Sequence, residues 1–310
     1  MKKERLVVLI GPTAVGKTAL SLALARRLDA EIISGDSMLF YRGFDIGTAK
    51  PMKEELSAVP HHFIDILAPA ASFNVMDFQR LAREEIGRIA ARGKLPLVVG
   101  GTGLYIKSLL EGYVFNETSG DRAYREKLER LAQEKGKAFV HGLLQEADPE
   151  AAARLHVNDF RRVVRALEVA SLGNEHISEQ REAAGGELAY DAYVIGLRRE
   201  RQALYARIEE RVDAMLAAGL AGEVRSLLAE GVPRDCPAMK GIGYREMLAY
   251  LAGSMDLPLA AAEIKKATRH FAKRQMTWFR GMERRGSVIH WVDALLPMEE
   301  KIKEVLALVG

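Results

Sequence analysis

The 310 residues include one cysteine and two tryptophans, no long apolar run, and almost no excess of charge of either sign. A lone Cys236 cannot form an internal disulfide or a cysteine-rich zinc site, and it fits a reducing compartment. Beside Pro237 it reads as a small packed residue. No stretch approaches the roughly 20 apolar residues that a membrane span requires. The charged start, Met1-Lys2-Lys3-Glu4-Arg5, is followed by an apolar run, Leu6–Ile10, too short for the core of a signal peptide. A cytoplasmic protein without membrane association is therefore expected, and neither internal repeats nor low-complexity tracts are present. Lys and Arg number 45 against 42 Asp and Glu, a net charge of +3, which taken as a sum argues against a polyanionic partner. What remains is ordinary globular composition, 48% hydrophobic and 28% charged. The chain exceeds the roughly 250–300 residues at which single cores stop growing, so one large domain with an insertion, or two domains, is expected.

Leu6–Ile10 is a continuous branched-apolar run ending at Gly11, as in a buried parallel strand, and Thr18–Leu28 is rich in helix formers. Further short runs at Glu31–Ser34, His62–Leu67 and Leu95–Val99 alternate with a helical pattern over Asn74–Arg92. This alternation predicts a parallel sheet covered by helices on both faces. From about Tyr113 the sequence turns charged, alanine-rich and helical, through Asp121–Gln133, Ala138–Gln145, Pro149–Leu155 and Asp159–Ser171. Gly173–Asp191, with Gly185-Gly186, reads as a polar surface loop, and Tyr193–Leu197 as a strand able to return to the sheet. Helices over Arg201–Ala218, Ala221–Ala229, Tyr244–Leu251 and Leu259–Arg280 and a last strand over Ser287–Val292 complete the pattern. The expected division is a core of residues 1–112 and 193–310 split by a small all-helical domain of residues 113–192.

Gly11-Pro12-Thr13-Ala14-Val15-Gly16-Lys17-Thr18 matches G-x-x-x-x-G-K-[ST] between a predicted strand and a predicted helix. Loop N–H groups and the helix N-terminus converge on phosphate oxygens, Lys17 neutralises their charge, and the Thr18 hydroxyl can bind Mg²⁺. The motif does not say which phosphate compound binds; a diphosphate satisfies it as well as ATP. The Walker-B acid is missing, because Leu95–Val99 runs into Gly100-Gly101 without a carboxylate and Asp65 is the one strand-borne substitute. Asp36 follows the second strand and belongs at the ligand-binding edge of the sheet, where it serves as a general base or substrate-orienting acid, or as a cap or turn residue in Ser34-Gly35-Asp36-Ser37. Thr102, after the fourth strand, offers a hydroxyl between glycines that permit close backbone approach.

The net charge conceals an uneven distribution. Residues 261–285 hold eight Lys or Arg against two acids, +6, interleaved with His270, Phe271, Trp278 and Phe279. Such a mixture suits looped RNA, where bases stack and phosphates pair; equally, it describes an amphipathic helix whose aromatics are core. Arg154, Arg161, Arg162 and Arg165 form a second basic group, and Lys240-Gly241-Ile242-Gly243-Tyr244-Arg245 a third.

These residues, with Asp45-Ile46-Gly47-Thr48-Ala49-Lys50-Pro51, Gly100–Tyr105, Asn158-Asp159, Arg165–Glu168 and Lys273-Arg274-Gln275 followed by Thr277-Trp278, resemble the bacterial tRNA dimethylallyltransferases over nearly the whole chain. The resemblance implies a P-loop NTPase-like α/β core with a helical insertion. It implies transfer of a dimethylallyl group from dimethylallyl diphosphate to N6 of the adenine just 3′ of the anticodon, in tRNAs reading codons that begin with U. Asp36 becomes the general base, with Thr102 close to the reacting groups, and the phosphate loop together with Arg225 and Mg²⁺ on Thr18 holds the diphosphate. Contacts to the tRNA anticodon stem-loop fall on Asp36, Ser37, Met38, Leu39, Thr102, Tyr124 or Arg125, Arg161, Arg162, Arg165, Lys240–Arg245, Lys273, Arg274, Gln275, Thr277, Trp278 and Arg280. The target base leaves its stack to enter the site, and a monomer is expected. Two departures from the family pattern, Gly35 and Phe160-Arg161, lie outside the reacting groups.

Overall fold

The computed structural model describes residues 3–113, 121–171 and 188–310. The chain forms two compact units, Met1–Glu111 with Leu188–Gly310, and Gly112–Glu187. In the first unit the chain runs β1 (Arg5–Ile10), α1 (Lys17–Leu28), β2 (Ala30–Ser34), α2 (Lys53–Ala58), β3 (His61–His62), α3 (Val75–Ala91), β4 (Leu95–Gly100) and α4 (Gly103–Leu110). The second unit contains α5 (Arg122–Lys135), α6 (Lys137–Ala147), α7 (Pro149–Arg154) and α8 (Phe160–Ser171). The first unit resumes with β5 (Asp191–Arg198), α9 (Arg201–Ala217), α10 (Leu220–Ala229), α11 (Tyr244–Leu251), α12 (Leu257–Arg284), β6 (His290–Asp293) and α13 (Met298–Val309). Among the described residues no helix is long and apolar enough to cross a membrane.

Among the described residues six strands form one parallel sheet in the order β3-β2-β4-β1-β5-β6. Period-two alternation explains why β1 is apolar from Leu6 onward: Leu6, Val8 and Ile10 enter one core with α3, α4 and α12, and Val7 and Leu9 enter the other with α1, α9 and α13. A third apolar cluster joins α9, α10, α11 and the first half of α12, and Cys236 is buried in it. The helical unit has its own core, built on Leu128, Val140, Leu144, Val163 and Leu167.

Of the boundaries that differ from those predicted, three change the reading of the elements they end. The third strand extends over His61–His62 only, because Phe63 and Asp65 adopt left-handed φ of 65° and 56°, which an extended strand cannot contain. Asp65 is thereby removed from any strand end and pairs with the Lys50 ammonium, so it is no substitute Walker-B acid. The basic helix is longer than expected, 28 residues, because Asp256 caps it by accepting from the Leu259 N–H at 2.8 Å and Pro258 occupies its first turn. The return to the sheet begins at Asp191, inside the stretch read as a loop; residues 173–187 of that stretch, with Gly185-Gly186, lie outside the described residues.

Candidate active site

Parallel topology brings the carboxyl ends of β1, β2 and β4 to one edge, and each carries a candidate group. The phosphate loop joins β1 to α1 through Gly16, whose φ of 106° requires glycine although a Cβ there would meet nothing. Lys17 turns back over the loop and donates to the Gly11 and Pro12 carbonyls at 3.0 and 2.9 Å. Burial pulls its ammonium down to about 8, against the opposing pull of the Asp36 charge, with Arg211 lowering it slightly further.

Asp36 follows β2. Its Oδ1 accepts the Met38 N–H at 3.0 Å, and the next N–H, of Ser37, donates to Thr102 Oγ1 at 3.3 Å. The β2 and β4 turns come this close because Gly100 has no side chain: a Cβ there would lie 2.4 Å from the Gly35 carbonyl oxygen. The Gly35 N–H also donates to the Val99 carbonyl at 2.8 Å. Thr102 therefore braces the turn that carries Asp36.

Two cavities adjoin this edge. One, of about 450 Å³, is lined by Thr13, Ala14, Gly16, Lys17 and Thr18 of the loop together with Leu39, Ala49, Arg207 and Glu210. The other, of about 330 Å³, is more apolar, lined by Met38, Ile208, Val212, Met215, Ile242, Ile264 and Phe271, with Ser37, Lys240, Gly241, Gly243, Arg245 and Arg274 among its polar walls. Thr13, Asp36, Thr48 and Arg211 belong to both. Asp36 thus stands where a space lined by the phosphate loop meets a more apolar one.

Arg211 was not among the residues expected here, whereas Arg225 was. Arg225 is exposed on α10 and lines neither cavity. Arg211 sits on α9, donates to the Thr48 carbonyl at 3.1 Å and faces Asp36, whose charge partly offsets the lowering of its pKa by burial. Arg207 and Arg211 are four residues apart and so share a helix face, but the sequence does not reveal which face of α9 looks at the loop.

The Asp45–Pro51 segment is fixed from α10. The Glu223 carboxylate accepts the N–H groups of Asp45, Ile46 and Gly47 at 3.0, 2.6 and 3.3 Å and the Tyr244 hydroxyl at 2.7 Å. Tyr244, expected to touch RNA, is instead fully buried, with its ring against Gly47 and Phe44. Burial and the adjoining Glu223 push its hydroxyl pKa up. Gln275 was expected at the same RNA surface and is also buried, 3% exposed. It lies on the α12 stripe of Ala272, Phe279 and Met282, a three-and-four spacing that marks the inward face.

The other α12 candidates lie on the surface: Lys273, Arg274, Thr277 and Arg280 are exposed, and Trp278 is half-buried against Gly103. The early cations of this helix are neutralised, Lys265 by Asp213, Lys266 by Glu263 and Arg269 by Glu209. Among the described residues no carboxylate pairs with Lys273, Arg274 or Arg280. A basic hollow of about 490 Å³ opens beside them, walled by Arg201, Tyr205, Arg269, His270, Lys273, Arg274 and Thr277. In the helical unit Arg161 and Arg162 are exposed. Arg125 and Arg165 instead serve the buried Glu168, at 2.7 and 2.5 Å, while Tyr124 packs against that unit's core. Burial raises the Glu168 carboxyl, but the two guanidinium groups outweigh it and hold its pKa below the usual range.

The IPP transferase family model matches residues 39–282, and the isopentenyl transferase model matches residues 4–69. The tRNA dimethylallyltransferase of Bacillus velezensis is 50% identical over 98% of this chain and 96% of its own; that of Bacillus subtilis is 47% identical over 97% and 95%. The solved tRNA isopentenylpyrophosphate transferase of Bacillus halodurans superposes with a TM-score of 0.72 at 44% identity, covering 98% of this chain and 94% of that one. A eukaryotic dimethylallyltransferase solved acting on tRNA gives 0.77 at 28% identity, over 94% and 74%. With a family model spanning most of the chain and half of all positions shared with a full-length relative, this chain belongs to the tRNA dimethylallyltransferase (IPP transferase) family.

Proposed function

We propose that the protein transfers a dimethylallyl group from dimethylallyl diphosphate to N6 of the adenine 3′ of the anticodon in tRNAs reading codons that begin with U. The observation that carries the reading is the position of Asp36 in the walls of both cavities, one lined by the phosphate loop and Lys17, the other more apolar with basic residues among its walls. Adenine N6 is a weak nucleophile because its lone pair is delocalised into the ring. The donor's allylic carbon can carry positive charge, so its C–O bond breaks as the N6–C bond forms and the electron pair leaves on diphosphate. Lys17, Arg211 and the loop N–H groups stabilise that accumulating negative charge, and Asp36 takes the N6 proton.

Among the described residues no cluster of three or more His, Cys, Asp or Glu could hold a metal. Thr18, exposed at the start of α1, offers a hydroxyl oxygen, which suits a hard cation whose remaining ligands would come mainly from the diphosphate. Bound there, Mg²⁺ would neutralise leaving-group charge.

The deciding assay compares prenyl transfer from dimethylallyl diphosphate to unmodified tRNA with transfer to AMP. Product on tRNA alone is expected, and ATP consumption without RNA would replace this reading with a kinase. Because Lys17 is cationic only below about 8, kcat/KM for the donor is expected to fall as pH rises through that value, and Lys17→Arg to move the fall to higher pH. Each of Lys273→Ala and Arg274→Ala is expected to weaken tRNA binding and to shrink the salt slope of log K by roughly 0.7–0.9 for each phosphate that the side chain neutralises. Unchanged tRNA slopes with weakened donor binding would move the RNA surface elsewhere.

A further inference from the structure

The Gln275 side chain of α12 makes two hydrogen bonds inside the site. Its Oε1 accepts the Thr13 N–H of the phosphate loop at 2.8 Å, and its Nε2 donates to the Gly101 carbonyl at 2.9 Å. A Cβ at Gly101 would lie 2.2 Å from Gln275 Nε2, so any side chain there would displace the amide from its place. The following residue, Thr102, accepts the Ser37 N–H next to Asp36. A continuous hydrogen-bonded path therefore runs from the phosphate loop through Gln275 and the β4 turn to the turn that carries the general base. An amide on a stripe otherwise made of Ala272, Phe279 and Met282 costs free energy unless both of its bonds are made. An aliphatic side chain would satisfy packing alone.

We infer that Gln275 is a positioning residue for the transfer reaction: by tying Thr13 to Gly101 it sets the separation between the held diphosphate and Asp36, and it has no part in contacting RNA. The inference rests on the reading that the phosphate loop holds the prenyl donor.

The test uses the full-length protein with dimethylallyl diphosphate and unmodified tRNA. Gln275→Ala, and Gln275→Met, which keeps the length of the side chain, are expected to lower kcat/KM for the donor about 10- to 100-fold, as two unmatched buried backbone groups would. The affinity for tRNA, measured without donor, is expected to stay at the wild-type value. Gln275→Glu separates hydrogen bonding from shape. As a carboxylate it accepts from Thr13 but cannot donate to Gly101, whereas the neutral acid does both, so its rate relative to wild type is expected to rise as the pH falls.

Three results would overturn the inference: wild-type donor kinetics in Gln275→Met, loss of tRNA affinity with donor kinetics intact, or a pH-independent ratio for Gln275→Glu. Thermal unfolding reports whether each variant is folded, and if Gln275→Ala is not, the Met and Glu variants carry the test. Failure of the wild-type protein itself to bind the donor would overturn the underlying functional reading and this one with it. A defect confined to the variants' tRNA binding overturns this one alone.

Discussion

Asp36→Ala is expected to reduce single-turnover prenyl transfer by about 10²–10⁴-fold, the usual range for removal of a general base. Asp36→Asn should lose as much. That second variant is the sharper one, because the Asp36 side chain also holds its own turn by accepting the Met38 N–H at 3.0 Å. An asparagine oxygen makes the same bond, so if the role of Asp36 were to shape the turn, Asn would preserve activity. As a proton acceptor the amide fails. Donor affinity should move the other way: Asp36 faces the same space as Lys17 and Arg211, and its charge opposes that of an incoming diphosphate. Removing it should leave donor binding as tight as in the wild type or tighter. Near-normal turnover in Asp36→Asn would exclude the general-base role.

Glu223→Ala is expected to lower the stability of the first unit by about 3 kcal/mol: a carboxylate accepting four donors is replaced by nothing, each hydrogen bond to a charged group contributes a net of roughly 1.5–3 kcal/mol, and the half-buried site lets water take over part of the bonding. For a unit of this size that corresponds to a fall in Tm of roughly 6–12 °C. Part of the site should loosen with it. The amides of Asp45, Ile46 and Gly47 lose their shared acceptor, and the next residue, Thr48, lines both cavities and holds Arg211 through its carbonyl. Donor KM should therefore rise along with the loss of stability. Glu223→Gln, with one acceptor oxygen in place of two, should fall between. A melting temperature equal to wild type in Glu223→Ala would show that water replaces the carboxylate without cost.

The two predictions draw on different sources. Asp36 was legible as a candidate because a glycine-bounded acid after an apolar strand can be placed at the edge of a parallel sheet from sequence order alone. Glu223 carried no such mark. Its chemistry is the convergence of three consecutive N–H groups from a loop some 176–178 positions away, and no local pattern encodes that distance.

The same contrast holds for the residues that were displaced. Lys17 and Thr18 are found where the phosphate motif puts them because the motif is contiguous and fixes its own backbone. Arg225 was expected at the diphosphate, yet it is Arg211 that lines the cavity beside the phosphate loop: each lies on a helix of the same region, and only the packing of α9 against the loop decides which guanidinium looks inward. Tyr244 and Gln275 belong to segments with exposed cations on either side, Lys240 and Arg245 in one case, Lys273, Arg274 and Arg280 in the other. In a helix, residues one apart point about 100° away from each other, so a segment can meet solvent while single members face the core.

The sequence by itself determined the local chemistry: the phosphate loop, the acid after the second strand, the hydroxyl after the fourth, the alternating α/β pattern with its helical interruption, and the concentration of +6 in one segment that a net charge of +3 conceals. Tertiary structure decided which of those groups meet. It set the order β3-β2-β4-β1-β5-β6 that brings three strand ends together, turned Gln275 and Tyr244 inward, placed Arg211 rather than Arg225 beside the phosphate loop, and left Lys273, Arg274 and Arg280 of the basic helix, unlike its earlier cations, without carboxylate partners among the described residues. The physical reason is range. Backbone conformation, helix periodicity and loop motifs depend on neighbours a few residues away, whereas burial and charge pairing are settled by groups that become neighbours only on folding.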